Sequence, residues 1–267
     1  MKRKLFCEIS PFTYTLSRYK NIFLRKLKDS ISGVEFGNSI CDELLPYTVW
    51  EHSSPIKRRL GNVDMQLQIN KEKNLAIAVG CIDGIVIRPG EVFSFWKLVG
   101  ECTRKKGYKE GLVISNDRVL SGVGGGMCQL TNLIHWMILH SELDILEHHH
   151  HDNLDLFPDC DRRVPFGTGT SIAYNYMDYR FKNNTDAVFQ IKLALENGYL
   201  YGELRCSKES SLSYEIETKN EKFIKENDNI YRTGEVIRTA TRKKDGKIIL
   251  CECIRKNHAK VMYQLDI

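Results

Sequence analysis

The chain has 267 residues, 42% apolar and 27% charged, an ordinary globular composition that allows one large domain or two small ones. No apolar run approaches the roughly 20 residues of a membrane helix, so no spanning helix is expected. The net charge of +5 is uneven: residues 1–28 carry eight Lys and Arg against Glu8 alone, leaving a slightly acidic body, which argues against a nucleic-acid-binding core.

After the basic start Lys2-Arg3-Lys4, only Leu5, Phe6 and Cys7 precede Glu8. That is short of the roughly 7–15-residue apolar centre of a signal peptide, and the expected location is cytoplasmic. The nine cysteines are Cys7, Cys41, Cys81, Cys102, Cys128, Cys160, Cys206, Cys251 and Cys253. Their number is odd and no C-x-x-C occurs, so reduced thiols are expected rather than a disulfide framework.

Residues 12–31 suit an amphipathic helix. Leu16, Tyr19, Phe23, Leu27 and Ile31 recur at spacings of three and four, with Arg18, Lys20, Arg25, Lys26 and Lys28 off that stripe. An ordinary surface helix docked on the body is the first expectation, and peripheral contact with an anionic membrane is the second. Residues 32–60 read as irregular, broken by Gly33, Gly37, Pro46 and Pro55. Asn74 to Ile82 is apolar and fits a short buried helix or a strand. Strands are expected at Ile85–Ile87, Val92–Trp96 and Leu112–Ile114, with turns at Asp83-Gly84, Pro89-Gly90, Gly107 and Ser115-Asn116-Asp117.

Gly122-Val-Gly124-Gly125-Gly126 cannot be the interior of a stable helix or strand. Directly after it Met127, Leu130, Leu133, Ile134, Met137 and Ile138 mark one face of a helix from about 127 to 141. Cys128 therefore falls in the first turn of a buried helix. The free N–H groups and the helix dipole there favour an anion, and a lowered thiol pKa is expected. Leu143–Glu147 should be extended, followed by four histidines, His148 to His151. From Arg162 the pattern is mostly strand: Thr170–Tyr176, Tyr179–Phe181, a hairpin around Asn197-Gly198 and another around Asp245-Gly246.

A cysteine nucleophile needs a base. His135 and His140 lie too far along the helix from Cys128 to reach it easily, and His52 and His258 are isolated. In an extended histidine run His149 and His151 share one face and His148 and His150 the other. One pair could thus face the thiol. The competing readings are a solvated histidine run and a metal site formed by His149, His151 and Cys160. The N–H groups of Cys128 and Gln129 would be oxyanion donors, with Gly124, Gly125 and Gly126 shaping the substrate loop. The glycines lack the Lys-Ser/Thr of a phosphate-binding P-loop. No cofactor and no metal are expected.

Arg88-Pro-Gly-Glu-Val-Phe-Ser-Phe95, Gly100, Gly107-Tyr108, Gly124-Gly-Gly-Met-Cys-Gln129, Glu147 with His149 and His151, and Tyr179-Arg-Phe-Lys-Asn-Asn-Thr185 resemble, in that order, the VanW family. The resemblance covers about residues 60 to 190. It implies a cell-wall and glycopeptide-resistance context, with a peptidoglycan stem peptide or precursor, and other resistance-cluster proteins, as partners. It also implies L,D-transpeptidase-like chemistry in which Cys128 attacks a stem peptide, with His149 or His151 as base. One position departs from the family pattern: Gly169 stands where an aspartate is usual. If that aspartate orients the histidine, this chain has either lost the orienter or uses another acid, with Asp152, Asp155 and Asp161 as candidates.

The expected fold is α+β: a helical basic segment (1–58), a mixed core around the Cys128 helix (59–206) and a strand-rich C-terminal extension (207–267). Two functions are compatible with these residues. One is cysteine-dependent acyl transfer on stem peptides or precursors. The other is a non-enzymatic accessory protein that keeps the fold and binds a precursor or partner.

Overall fold

A computed structural model describes residues 5–57, 65–115, 118–150, 154–155 and 164–264. His151, Asp152, Cys160 and Asp161 fall outside them. In chain order the elements are α1 (Pro11–Ile31), β1 (Ser39–Ile40), β2 (Tyr47–Pro55), α2 (Met65–Ile82), β3 (Ile85–Ile87), β4 (Val92–Ser94), α3 (Phe95–Val99), β5 (Glu110–Ser115) and β6 (Arg118–Val123). There follow α4 (Met127–Leu139), β7 (Asp144–Glu147), β8 (Leu154–Asp155), β9 (Arg180–Lys182), β10 (Phe189–Glu196), β11 (Tyr199–Cys206), β12 (Leu212–Glu226), β13 (Asn229–Arg242) and β14 (Ile248–Val261). The fold is α+β with a strand-rich C-terminal half.

The central sheet runs β1-β3-β10-β11-β2 with antiparallel neighbours. The Asn197-Gly198 hairpin joins β10 and β11, and both turn residues have positive φ, 50° and 79°, the twist two antiparallel strands require. Helix α4 lies on this sheet. Gly202 of β11 meets Leu133 and Met137 of α4 where a side chain would be too close, so the helix can approach the strand. Every residue of the expected apolar face is buried, and so are Thr131, His135, Trp136 and Leu139, leaving α4 wrapped almost all round. Each such large apolar side chain contributes about 1.5–3 kcal/mol by leaving water.

Several expectations change. Residues 74–82 form the end of helix α2. Phe95 and Trp96 leave the strand for α3, because Ser94 caps that helix, its Oγ accepting from the Lys97 amide at 3.3 Å. The supposedly irregular 32–60 holds nine-residue strand β2. The alternating stretch Thr170–Tyr176 is not a strand. Its backbone bonds go elsewhere: the Thr170 amide to Asn132 Oδ1 at 2.6 Å and the Ser171 amide to the His149 carbonyl at 2.7 Å. The C-terminal sheet β12-β13-β14-β8 is antiparallel except for the short parallel pairing of β14 with β8.

Helix α1 is docked, but by the face opposite its apolar stripe. Arg25 forms a two-pronged pair with Glu147 (2.5 and 2.8 Å), Asp29 another with Arg180 (2.7 and 2.8 Å), and Arg18 reaches Glu101 at 2.8 Å, around the single buried residue Ile22. Leu16, Tyr19, Phe23, Leu27 and Ile31 all point outward and are exposed.

Candidate functional site

The glycine loop is tight because other backbone passes through it. A side chain on Gly125 would run into the Gly111 backbone of β5, and the Gly125 carbonyl accepts from Asn74 Nδ2 of α2 at 2.9 Å. Gly126 caps α4 with φ +109°, a conformation L side chains rarely adopt, and the Lys71 stem packs against it. These contacts fix where α4 begins and so where Cys128 sits. Gln129 anchors the same end: its Nε2 donates to Ser54 Oγ (2.9 Å) and the Pro55 carbonyl (3.0 Å) of β2.

Cys128 differs from expectation. Burial, the largest influence, pushes its thiol above the ordinary value, although the N–H groups of Ile172 and of Cys128 itself point at the sulfur and work against this. Desolvation outweighs the helix terminus, so the resting group is a thiol rather than a thiolate. The Gln129 N–H is already bonded to the Gly126 carbonyl at 2.9 Å. It is therefore not a free oxyanion donor in this state.

His149 follows β7 and has a carboxylate partner. Its Nε2 lies 2.9 Å from Glu147 Oε1. Burial disfavours the ionised form of Glu147, but hydrogen bonds from Arg25, His149 and the Asp178 amide together hold its carboxyl below the usual range. An ionised carboxylate only accepts, so Nε2 carries the proton and Nδ1 is left as the ring's basic atom. Glu147, two residues before His149 on an extended chain, is thus the carboxylate bonded to its ring; the candidates Asp152 and Asp161 lie outside the described residues. Asp155 is engaged elsewhere, with Arg232 at 3.5 Å and the Tyr263 hydroxyl at 2.8 Å.

One short segment joins the two halves of the site. Ser171 donates its amide to the His149 carbonyl, and the preceding residue, Thr170, reaches the Cys128 carbonyl with its Oγ1 at 3.5 Å. Among the described residues no hydrogen bond links the Cys128 thiol to a histidine ring, so cysteine and histidine flank this segment without a direct bond. Asn132, one turn along α4, holds the segment through Thr170, whose Oγ1 donates to it at 2.8 Å; Thr170 also meets Thr131.

The other histidines stack away from this pair. The His148 ring lies 3.9 Å from His135 and 4.0 Å from His150, and its Nε2 is 3.0 Å from the Gly169 carbonyl. His148 and His150 share a side, as the alternation requires. Burial, then the neighbouring His148 and His150, push His135 well below the ordinary imidazole value, and its Nδ1 is 3.1 Å from the Tyr179 hydroxyl. Among the described residues no group of three or more His, Cys, Asp or Glu side chains is arranged to hold a metal ion.

The sequence reading missed a buried charge cluster behind His149. Asp178 is fully buried and accepts from Ser94 Oγ (2.5 Å), the Trp96 amide (3.0 Å), the Tyr179 amide (2.9 Å) and Arg180 Nε (2.7 Å). Arg180 passes the link on to Asp29 of α1. The spacing of Asp178 and Arg180, two residues apart and so on one side of an extended chain, was the available signal.

The family model described as "VanW like protein" matches residues 70–205, half of the chain. The chain belongs to the VanW family. It is 29% identical over 265 residues to the vancomycin B-type resistance protein VanW of Enterococcus faecalis (strain ATCC 700802 / V583), covering 99% of this chain and 96% of that one. It is 31% identical over 114 residues to the uncharacterized protein YoaR of Bacillus subtilis (strain 168), covering 43% of this chain and 36% of YoaR. No solved structure matches the chain. Many residues of the VanW signature do architectural work here. Glu91 closes the Pro89-Gly90 turn by accepting from the Arg88 amide at 2.7 Å, and Gly90 donates to the Asn183 carbonyl at 2.7 Å. The Asn183 side chain bonds the carbonyls of Ile87 and Ala187. Of the signature, Glu147 serves both the framework, through Arg25 and the Asp178 amide, and the ring of His149.

Proposed function

We propose that this VanW-family protein serves glycopeptide (vancomycin) resistance by acting on peptidoglycan stem peptides or their precursors through cysteine acyl transfer. The observation that carries the reading is the Glu147–His149 hydrogen bond, which engages Nε2 and leaves Nδ1 as the ring atom available to a thiol, on the chain segment that Ser171 and Thr170 tie to Cys128. In the reaction His149 Nδ1 takes the thiol proton as the sulfur attacks a peptide carbonyl. The carbonyl collapses to a thioester, the C–N bond breaks, and the leaving amine receives the proton from the imidazolium. An acceptor amine or water then attacks the thioester and regenerates the thiol. A neutral thiol needs this concerted removal of its proton, which is the reason a positioned base matters.

A second reading is favoured by a different observation. The Gln129 amide is occupied and the Cys128 thiol is held protonated, as in a protein that binds without turnover. Incubation with a stem peptide or a carbapenem-type electrophile, followed by intact-protein mass measurement, separates the two. Acyl transfer requires an adduct on Cys128 that is absent from Cys128→Ala. Equal labelling of both proteins, together with resistance retained by Cys128→Ser and lost on deletion, selects the binding protein.

A further inference from the structure

Helix α1 turns the usual arrangement of an amphipathic helix inside out. Its inward face is charged: Arg18, Arg25 and Asp29 bond Glu101, Glu147 and Arg180 of the body. Its outward face is apolar. Phe12 is 75% exposed, Phe23 65%, Tyr19 59%, Leu16 50% and Leu27 48%. Leu5, Phe6 and Ile9, just before the helix, are exposed as well. These residues form one stripe about 22 Å long from residue 12 to residue 27, at 1.5 Å per residue. Contiguous apolar surface of this kind is uncommon on a free soluble protein and marks a contact.

The charges around the stripe identify the contact. At about 100° per residue, Lys26 lies on one flank and Lys28 on the other, with Lys20 beside Leu27 and Ile31. All three lysines are exposed. The only carboxylate on α1, Asp29, is turned inward with its side chain 6% exposed, between Arg180 and Lys97. An apolar stripe bordered only by lysines fits a surface that is apolar inside and negative at its rim, as an anionic lipid leaflet is. It does not fit a second copy of itself, which would set three lysines against three lysines with no acid between them.

We propose that α1 lies in the interface of an anionic membrane, its stripe sunk among the acyl chains and Lys20, Lys26 and Lys28 at the headgroups. Among the described residues no helix is long and apolar enough to cross a membrane, so this is attachment at one face. Because Arg25 of α1 bonds Glu147, the candidate site sits about one helix diameter, roughly 10 Å, from the lipid surface. The proposal stands apart from the acyl-transfer reading and survives its failure.

Sedimentation of the full chain with vesicles tests it, comparing a phosphatidylglycerol–phosphatidylcholine mixture with phosphatidylcholine alone. Binding to the mixed vesicles is expected, with little to the neutral ones and less in 1 M salt. Phe23→Asp should weaken it at least tenfold. The triple change Lys20→Gln, Lys26→Gln and Lys28→Gln should weaken it on the order of 100-fold, about fivefold per lysine. Both variants alter exposed side chains only, so unchanged melting temperatures confirm the fold. No binding to the mixed vesicles, or binding indifferent to Phe23→Asp, overturns the proposal. So does a wild-type dimer that Phe23→Asp dissolves, which would assign the stripe to a second copy.

Discussion

Glu147 joins three parts of the molecule, and replacing it with glutamine tests them together. The variant keeps the shape and one acceptor oxygen but removes the charge facing Arg25 and the fixed acceptor for His149 Nε2. The Glu147 and Arg25 side chains are only 15% and 19% exposed. Stranding a fully buried partner costs about 3–5 kcal/mol. Here Arg25 keeps the Tyr176 carbonyl at 3.3 Å and some water, so the expected loss at pH 7 is about 1–3 kcal/mol. The native carboxyl is held below its ordinary value of 4.5, so its stabilisation is complete above that value and is lost as pH falls through the lower native one. Denaturant titrations of both proteins between pH 7 and pH 3 should therefore show a gap that narrows below about pH 4.5. A glutamine NH₂ can also turn the imidazole to its other tautomer, and acyl-transfer turnover should fall by about 10²–10⁴-fold. A gap constant with pH would refute the assignment of charge to Glu147. Full turnover in the variant would refute its orienting role.

The Cys128 thiol is pushed above its ordinary value of 9.0, so its alkylation by iodoacetamide should rise only above that pH; a midpoint below pH 8 would mean that the sulfur is not desolvated. Gly169 is exposed, and a Cβ there would meet only Asn132 Oδ1, at 3.9 Å. Gly169→Asp should thus fold with stability within about 0.5 kcal/mol of wild type by thermal melting. Gly125→Ala should destabilise by more than about 3 kcal/mol in the same assay, because the new methyl collides with the Gly111 backbone rather than with a movable side chain.

How much of this was legible depended on what each signal measures. Helix α4 and the two hairpins could be read because their patterns report local geometry: apolar spacing of three and four, and glycine after Asn or Asp in a turn. The stripe on α1 was read correctly as a stripe, and the helix is docked on the body as first expected, but by its other face. Periodicity shows that residues share a face; it does not show which face meets the body. Arg25 and Asp29 decided that, through partners 122 and 151 residues away. Thr170–Tyr176 alternates like a strand but spends its amides on Asn132 and His149, which no local pattern could reveal. Cys128 was placed in the right turn of the right helix, yet desolvation in the folded chain outweighs the helix terminus and reverses the expected pKa shift. Glu147 stood inside the quoted motif, and its role emerged only when His149 was seen bonded to it.

The end of α4 depends on chain made much later. Arg238 of β13 donates Nε to the Leu139 carbonyl at 2.8 Å and also bonds the Ser141 carbonyl, closing the helix from 99 residues downstream. At about 5–20 residues per second a ribosome needs roughly 5–20 s to cover that separation. During that interval the helix carrying Cys128 has its first turn fixed by Asn74 and Gln129 and its last turn open. Maturation of the helix should accordingly run from the thiol end outward and finish when the second-to-last strand, β13, emerges. A nascent chain stalled at residue 205, where the family match ends, would hold the cysteine in a helix still frayed at the far end.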